Sequence, residues 1–186
     1  MSKLQIFCSE DLGAFYLDVL KDRLYTTGVS SKARRSAQTA LYHITHSLIR
    51  LMAPILSFTA EEAYETMGET GDGKPASVFC NTFHSIPEIA DKHSLGSRWP
   101  ELLALRARVV KDLESLRSSG QIGSSLQGKV KLTLPAPLFD LCKALGEDLK
   151  FLFIVSQVDI APGDVEAIEV STAEGKKCER CWHVRP

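Results

Sequence analysis

Gly120 separates two apolar rhythms, and that switch limits the folds open to this chain more than any other feature. Before it, apolar residues return every three or four positions, the spacing of helices with one buried stripe. After it, in KVKLTLP, Val130, Leu132 and Leu134 alternate with polar residues, the period of a strand with one buried face. An α-helical bundle followed by a small α/β subdomain, mainly α overall, satisfies both patterns.

The first stripe is Cys8, Leu12, Phe15, Tyr16, Val19 and Leu20. It is present almost from residue 4, so the chain is expected to begin inside a helix of something longer. TTGVSS (26–31) is a turn-rich break that offers Ser30 or Ser31 as an N-cap. The next helix is expected over 32–52, burying Ala33, Ala37, Ala40, Leu41, Ile44, Leu48 and Leu51, and ending before Pro54. Thr59 and Glu62 have capping-box spacing and predict a short helix to about Met67. Residues 68–77 read as a loop, and 78–96 as largely irregular.

Pro100 suits a helix start, with Leu102, Leu105, Val109, Leu113 and Leu116 on the inner face up to Gly120. A strand at 130–134, a short helix near 138–145 and a strand at 167–172 follow. The apolar run Phe151–Ile160 fits either a helix end or a strand. The expected division is 1–96 helical, 97–174 helix plus α/β, and 175–186 a separate tail.

Hydrophobic residues make up 44% and charged residues 24%, ordinary values for a core-forming protein. The net charge of −1 singles out no partner, but its distribution is uneven. Residues 1–60 hold seven Lys/Arg against four Asp/Glu, and residues 98–131 hold seven against three. Residues 132–175 hold two against eight. The basic stretches are compatible with nucleic acid, as they are with an ordinary solvated surface. No apolar run approaches the roughly 18 residues of a membrane span, and MSKLQIFCSEDLG lacks a signal-peptide core. Cys8, Cys80 and Cys142 are scattered singly, as buried thiols are in a reducing cytoplasm.

The chain closes on KKCERCWHVRP (176–186), where Cys178 and Cys181 form half of a zinc knuckle. This ending, with FCSEDLGAFYLDVLKDRLY near the start, ARRSAQTALYHI and LMAPILSFTAEE (51–62), resembles the C-terminal portion of bacterial isoleucyl-tRNA synthetases. The resemblance covers essentially the whole chain in the family's order. The prolines and paired acids of the middle stretch are shared with valyl, leucyl and methionyl relatives; the opening and the Cys-rich ending narrow the choice.

The resemblance implies an anticodon-binding type of helical region, whose role is to hold the anticodon end of isoleucine tRNA. It implies that four thiolates hold one zinc in the full-length protein. Cys178 and Cys181 match the first pair, and the second pair would fall after Pro186. Zinc is therefore expected to be weak or absent here, and the last ten or so residues disordered. The family's catalytic signatures, His-Ile-Gly-His and Lys-Met-Ser-Lys-Ser, are not in this sequence, nor is a Gly-rich phosphate loop. ATP and magnesium would belong to an upstream catalytic domain, and hydrolysis of mischarged tRNA to an upstream editing domain. This stretch itself is expected to be no enzyme. Expected partners are isoleucine tRNA and those upstream domains, with no membrane and no separate protein.

Holding an RNA loop needs cations for phosphates and planar groups for unstacked bases. On a helical wheel, Lys32, Arg35, Thr39, Tyr42, His46 and Arg50 cluster opposite the apolar stripe. Lys176, Lys177 and Arg180 surround Trp182, a second combination of charge and stacking, although Trp182 could instead pack on a zinc module. Arg34 lies to one side and could pair with an acid. Lys21 and Arg23 alternate with Asp18 and Asp22 as surface ion pairs. Trp99 reads as a packing anchor, Glu62 as a cap, and His43, His84 and His93 receive no role. Two other classes remain: a structural brace with little RNA contact, and a redox dithiol at Cys178/Cys181. The second lacks the helix N-terminus such motifs use.

Overall fold

The computed structural model describes residues 2–68, 75–88 and 95–185. The chain divides into two compact units, residues 1–22 with 90–186, and residues 23–89. The opening residues therefore cluster with the C-terminal part of the chain, where the sequence suggested a boundary near 96. The cause is tertiary: Phe15 packs 6.1 Å from Trp99, and the Arg106 guanidinium lies 4.8 Å from the Phe15 ring centre. Local periodicity cannot encode such pairings.

The opening helix is continuous but not uniform. It runs as α1 (Ser2–Ile6), a π-helical stretch (Phe7–Tyr16) and α2 (Leu17–Tyr25). In the middle the Leu17 N–H donates to Leu12 O, five residues back. The stripe read from sequence is the less exposed side, with Leu20 fully buried.

The larger unit is built around α5 (Trp99–Ser118) and a three-stranded sheet, β1 (Gly128–Leu134), β2 (Gln157–Pro162) and β3 (Ala167–Thr172). The strand order is β2-β1-β3, with β1 parallel to β2 and antiparallel to β3. A parallel pair needs a crossover, and α6 (Ala136–Leu145) and α7 (Leu149–Phe153) supply it. The run 151–160 is thus both alternatives in turn, helix end and then strand.

Alternation in β1 puts Val130, Leu132 and Leu134 on one face at 0% exposure, in one cluster with Leu102, Leu105, Val109 and Leu113 of α5. Each such side chain contributes about 1.5–3 kcal/mol by leaving water. Gly128 enters this sheet where a Cβ would meet Leu113 Cδ2 at 2.8 Å and Ser125 O at 3.0 Å, so a larger residue there would have to displace Leu113. Cys142 is buried in the same core, and burial pushes its thiol up to about 11.

The tail is ordered through Arg185, against the expectation of a disordered end. β4 (Lys176–Lys177) pairs antiparallel with β5 (Val184–Arg185). Burial explains the order: His183 is 6% exposed and Val184 8%, and the Val184 N–H donates to Ser156 Oγ at 2.6 Å.

The smaller unit holds α3 (Lys32–Met52) and α4 (Ser57–Thr66). Ser31 Oγ accepts from the Arg34 N–H at 3.2 Å, so of the two N-cap candidates Ser31 is the one used. Ala37 is buried as expected, but further along α3 the buried side is rotated from the one read in sequence: His46, Ile49 and the following Ala53 are buried, while Leu51 is exposed. The reason is what covers the helix, since Ile49 and Ala53 pack with Ala60 and Tyr64 of α4 and with Val78.

The Thr59–Glu62 capping box does not form. α4 starts three residues earlier, with Leu56 and not Thr59 at the N-cap position, and Ser57 Oγ donates to Ala53 O at 3.0 Å. Glu61, not Glu62, is engaged, accepting from Ser77 Oγ at 2.9 Å and the Val78 N–H at 3.0 Å. Residues 81–88 have no regular structure, and His93 lies outside the described residues. Among the described residues no helix is long and apolar enough to cross a membrane.

Candidate nucleic-acid interface

Helical geometry sorts the α3 candidates by their spacing. Lys32, Arg35, Thr39 and Tyr42 all lie on the exposed side, Tyr42 at 48%. Lys32 and Arg35 enter no ion pair among the described residues. Some of the chain's other cations are paired. Lys129 pairs with Asp159 at 3.0 Å, Arg108 with Glu166 at 2.7 Å and Arg117 with Glu114 at 2.8 Å. The α3 cations are left to solvent or to a polyanion.

The lower end of the face differs from expectation. His46 is 2% exposed, so it is no solvent-facing RNA contact. Arg50 is turned inward as well: its Nη1 donates to His46 Nδ1 at 2.8 Å and its Nη2 to Asn81 Oδ1 at 3.1 Å. Residues 77–84 cause both changes by lying along this side of α3. Arg34 finds no acid; its Nε is buried without a hydrogen-bond partner among the described residues.

Sequence reasoning missed His43 and His84. His43 Nδ1 and His84 Nε2 meet at 2.8 Å across 41 residues. The His84 ring lies 5.2 Å from His46 at an interplanar angle of 21° and 6.0 Å from Tyr42 at 76°. His84 is held below its ordinary value, first by burial and then by the charge of Arg50 and by His43. His43 and His46, three apart on one helix, could have been found by periodicity. Nothing in the sequence marks His84 as their neighbour.

The tail presents its candidates on the β4–β5 hairpin. Lys176, Lys177 and Arg180 are exposed, and so is Trp182, at 60%. Lys177 Nζ stands 5.3 Å from the Trp182 ring centre, a cation–π pair. Trp182 has φ 64°, a left-handed backbone rare outside glycine, fixed by its N–H donating to Cys178 O at 2.8 Å. The Cys178 N–H in turn donates to His183 O at 2.8 Å, closing the turn.

Within that turn the Cys178 thiol sits below its ordinary value. Backbone N–H groups of Cys181 and then Arg180 point at its sulfur, and the Cys181 side chain adds a hydrogen bond. Amides aimed at a sulfur stabilise a thiolate, the form that binds metal. The pair therefore suits zinc as two donors. His183 does not join them, because its ring reaches Asp22 at 2.7 Å and Ser156 at 3.5 Å. Among the described residues no group of three His, Cys, Asp or Glu could hold a metal ion. The cysteines sit in a turn and not at a helix N-terminus, which disfavours the dithiol oxidoreductase reading.

Residues 1–132 match the family described as the anticodon-binding domain of tRNA ligase. The chain is 52% identical over 180 residues to the isoleucine--tRNA ligase of Laribacter hongkongensis, covering 97% of this chain and 18% of that protein. It is 52% identical over 192 residues to the isoleucine--tRNA ligase of Bordetella pertussis, covering 100% of this chain and 20% of that protein. The Janthinobacterium isoleucine--tRNA ligase is 50% identical over 188 residues, again with 100% and 20% covered. The chain thus spans about a fifth of the length of the curated relatives it matches.

Proposed function

Because this chain belongs to the family of anticodon-binding domains of tRNA ligases, we propose that it holds the anticodon end of isoleucine tRNA during ATP-dependent aminoacylation carried out by other parts of the enzyme. The observation that carries the reading is the exposed row Lys32, Arg35 and Tyr42, two cations without acid partners above an open aromatic ring. Lys32 and Arg35 neutralise phosphates, and Tyr42 offers a plane to an unstacked base. Lys176, Lys177, Arg180 and Trp182 supply a second set of the same kind. Adenylate formation, with its ATP and magnesium, and editing belong to domains outside these residues, and the enzyme is cytoplasmic.

Cys178 and Cys181 hold zinc in the full-length enzyme, together with two donors from outside the described residues. Bound there, zinc would cross-link the two sulfurs of the turn that leads to Trp182. The chain's own contribution is the amide-lined Cys178 sulfur and the docked His183–Val184 strand.

The brace reading keeps one place. Residues 132–175 are acidic, and Lys129 and Lys131 of β1 are paired with Asp159 and Glu169. This α/β part supports neighbouring segments and does not bind phosphate. Equilibrium binding of anticodon stem–loop RNA to the chain and to its Lys32→Glu/Arg35→Glu variant separates the roles. Loss of most of the affinity is expected; unchanged affinity would reduce α3 to a brace.

A further inference from the structure

The ring cluster at the end of the exposed α3 face is more elaborate than packing requires. Tyr42, His43 and His46 from α3 meet His84 from an irregular segment, with neighbouring ring centres 4.2–6.0 Å apart. An ordinary helix-covering segment would bury apolar side chains here. This one instead leaves Phe83 at 76% and Ile86 at 62% exposure, while turning His84 inward. Three anchors hold the segment in that pose: Arg50 Nη2 on Asn81 Oδ1, Asn81 Nδ2 on Ser77 O at 3.0 Å, and His43 on His84.

Two of the rings are disfavoured as cations, unlike the groups of a phosphate site. Arg50 donates to His46 Nδ1, so that nitrogen carries a lone pair and not a proton. The lowered His84 value points the same way, with burial first and the Arg50 charge second. With its Nε2 engaged by His43, His84 keeps Nδ1 as the one polar ring atom it can offer to a base edge. Tyr42 and His84 stand at 76°, so one offers a face while the other lies edgewise beside it. Lys32 and Arg35 lie about 10–15 Å up the same helix face, at about 1.5 Å per residue.

We propose that Tyr42 and His84 receive one unpaired nucleobase of the RNA loop, its face on the Tyr42 ring and its edge toward His84. His43, Arg50 and Asn81 are positioning residues that hold His84 in place. The inference rests on the RNA-binding reading above and assigns a base contact where that reading needs only phosphates and a stacking surface.

The test uses the whole chain and anticodon stem–loop RNA carrying 2-aminopurine at each loop position in turn. Quenching at one position is expected, together with its loss and roughly 5- to 100-fold weaker binding in Tyr42→Leu. Tyr42 is half-exposed, so the fold should tolerate the smaller apolar side chain. His84→Gln, which keeps a hydrogen-bonding edge without the ring, should retain quenching with altered affinity among loop sequences. Lys32→Ala/Arg35→Ala should weaken binding while leaving the quenched position unchanged. If Tyr42→Leu and His84→Gln both match the parent while Lys32→Ala/Arg35→Ala weakens binding, the base site is overturned and the phosphate contacts stand. If the parent chain binds none of the RNAs, both readings fall together.

Discussion

His183 Nε2 donates to Asp22 Oδ2 at 2.7 Å, joining the opening helix to the tail across 161 residues. The bond lies within one compact unit, where His183 also faces Ser156 and stacks edgewise on Phe151 at 5.9 Å. It explains why the cysteine turn has a fixed pose, since the His183 carbonyl receives the Cys178 N–H. Asp22→Ala leaves a buried imidazole nitrogen without this acceptor, at a cost of about 1–3 kcal/mol. Amide exchange across 176–185 should quicken in that variant, while exchange in β1 stays slow. Unchanged protection of the tail would show that Val184 alone docks it.

The central strand should dominate the stability of the larger unit. Leu132 is 0% exposed among Val130, Leu134 and the α5 leucines, and Leu132→Ala should cost about 2–5 kcal/mol. Lys131, on the opposite face with Glu169 at 3.5 Å, should cost at most about 1 kcal/mol when changed to Ala. Denaturant midpoints of the two variants give the comparison directly.

Capping should matter for α3 because its first turn carries no acid to offset the helix dipole. Ser31→Ala removes the acceptor for the Arg34 N–H and should destabilise the smaller unit by about 0.5–2 kcal/mol. Ser31→Asp should keep the cap and add a favourable charge, leaving the unit at least as stable by thermal melting.

The imidazole cluster gives the smaller unit a pH dependence of known sign. The folded-state value of His84 lies below the ordinary 6.5, so the unfolded chain binds more protons in the window just under 6.5. Stability from this group is fully present above that value and is lost as pH falls through the folded-state value. Melting between pH 7.5 and 5 should show a fall that His84→Gln makes shallower. An identical slope in the variant would assign the effect elsewhere.

Much of the fold was legible in the sequence because local rules decide it. The bounds of α3, the Ser31 cap, the α5 stripe and the β1 alternation all follow from caps and periods. The misses come from contacts distant in the chain. Residues 77–84 rotate the buried side of α3 onto His46 and draw in Arg50, which the helical wheel had placed on an open face. The order of the tail likewise depends on Asp22 and Ser156, and no spacing rule connects either residue to His183. The same contrast holds on the exposed side of α3: the exposure of Lys32, Arg35 and Tyr42 follows from helix geometry, whereas His84 is placed by tertiary packing.

Phosphate contacts made by Lys32 and Arg35 should be visible as salt dependence. Each neutralised single-strand phosphate adds about 0.7 to the slope of log K against log salt, so Lys32→Gln/Arg35→Gln should flatten it by roughly 1.4. A reduced affinity with an unaltered slope would mean that the two side chains act through the fold.

The decisive measurement is a titration of the chain with isoleucine tRNA and with a non-cognate tRNA, at low and at near-physiological salt. A preference for isoleucine tRNA that survives the higher salt is expected if these residues recognise the anticodon end. Weak, equal binding to both tRNAs that salt abolishes would contradict it, leaving only generic electrostatic attraction.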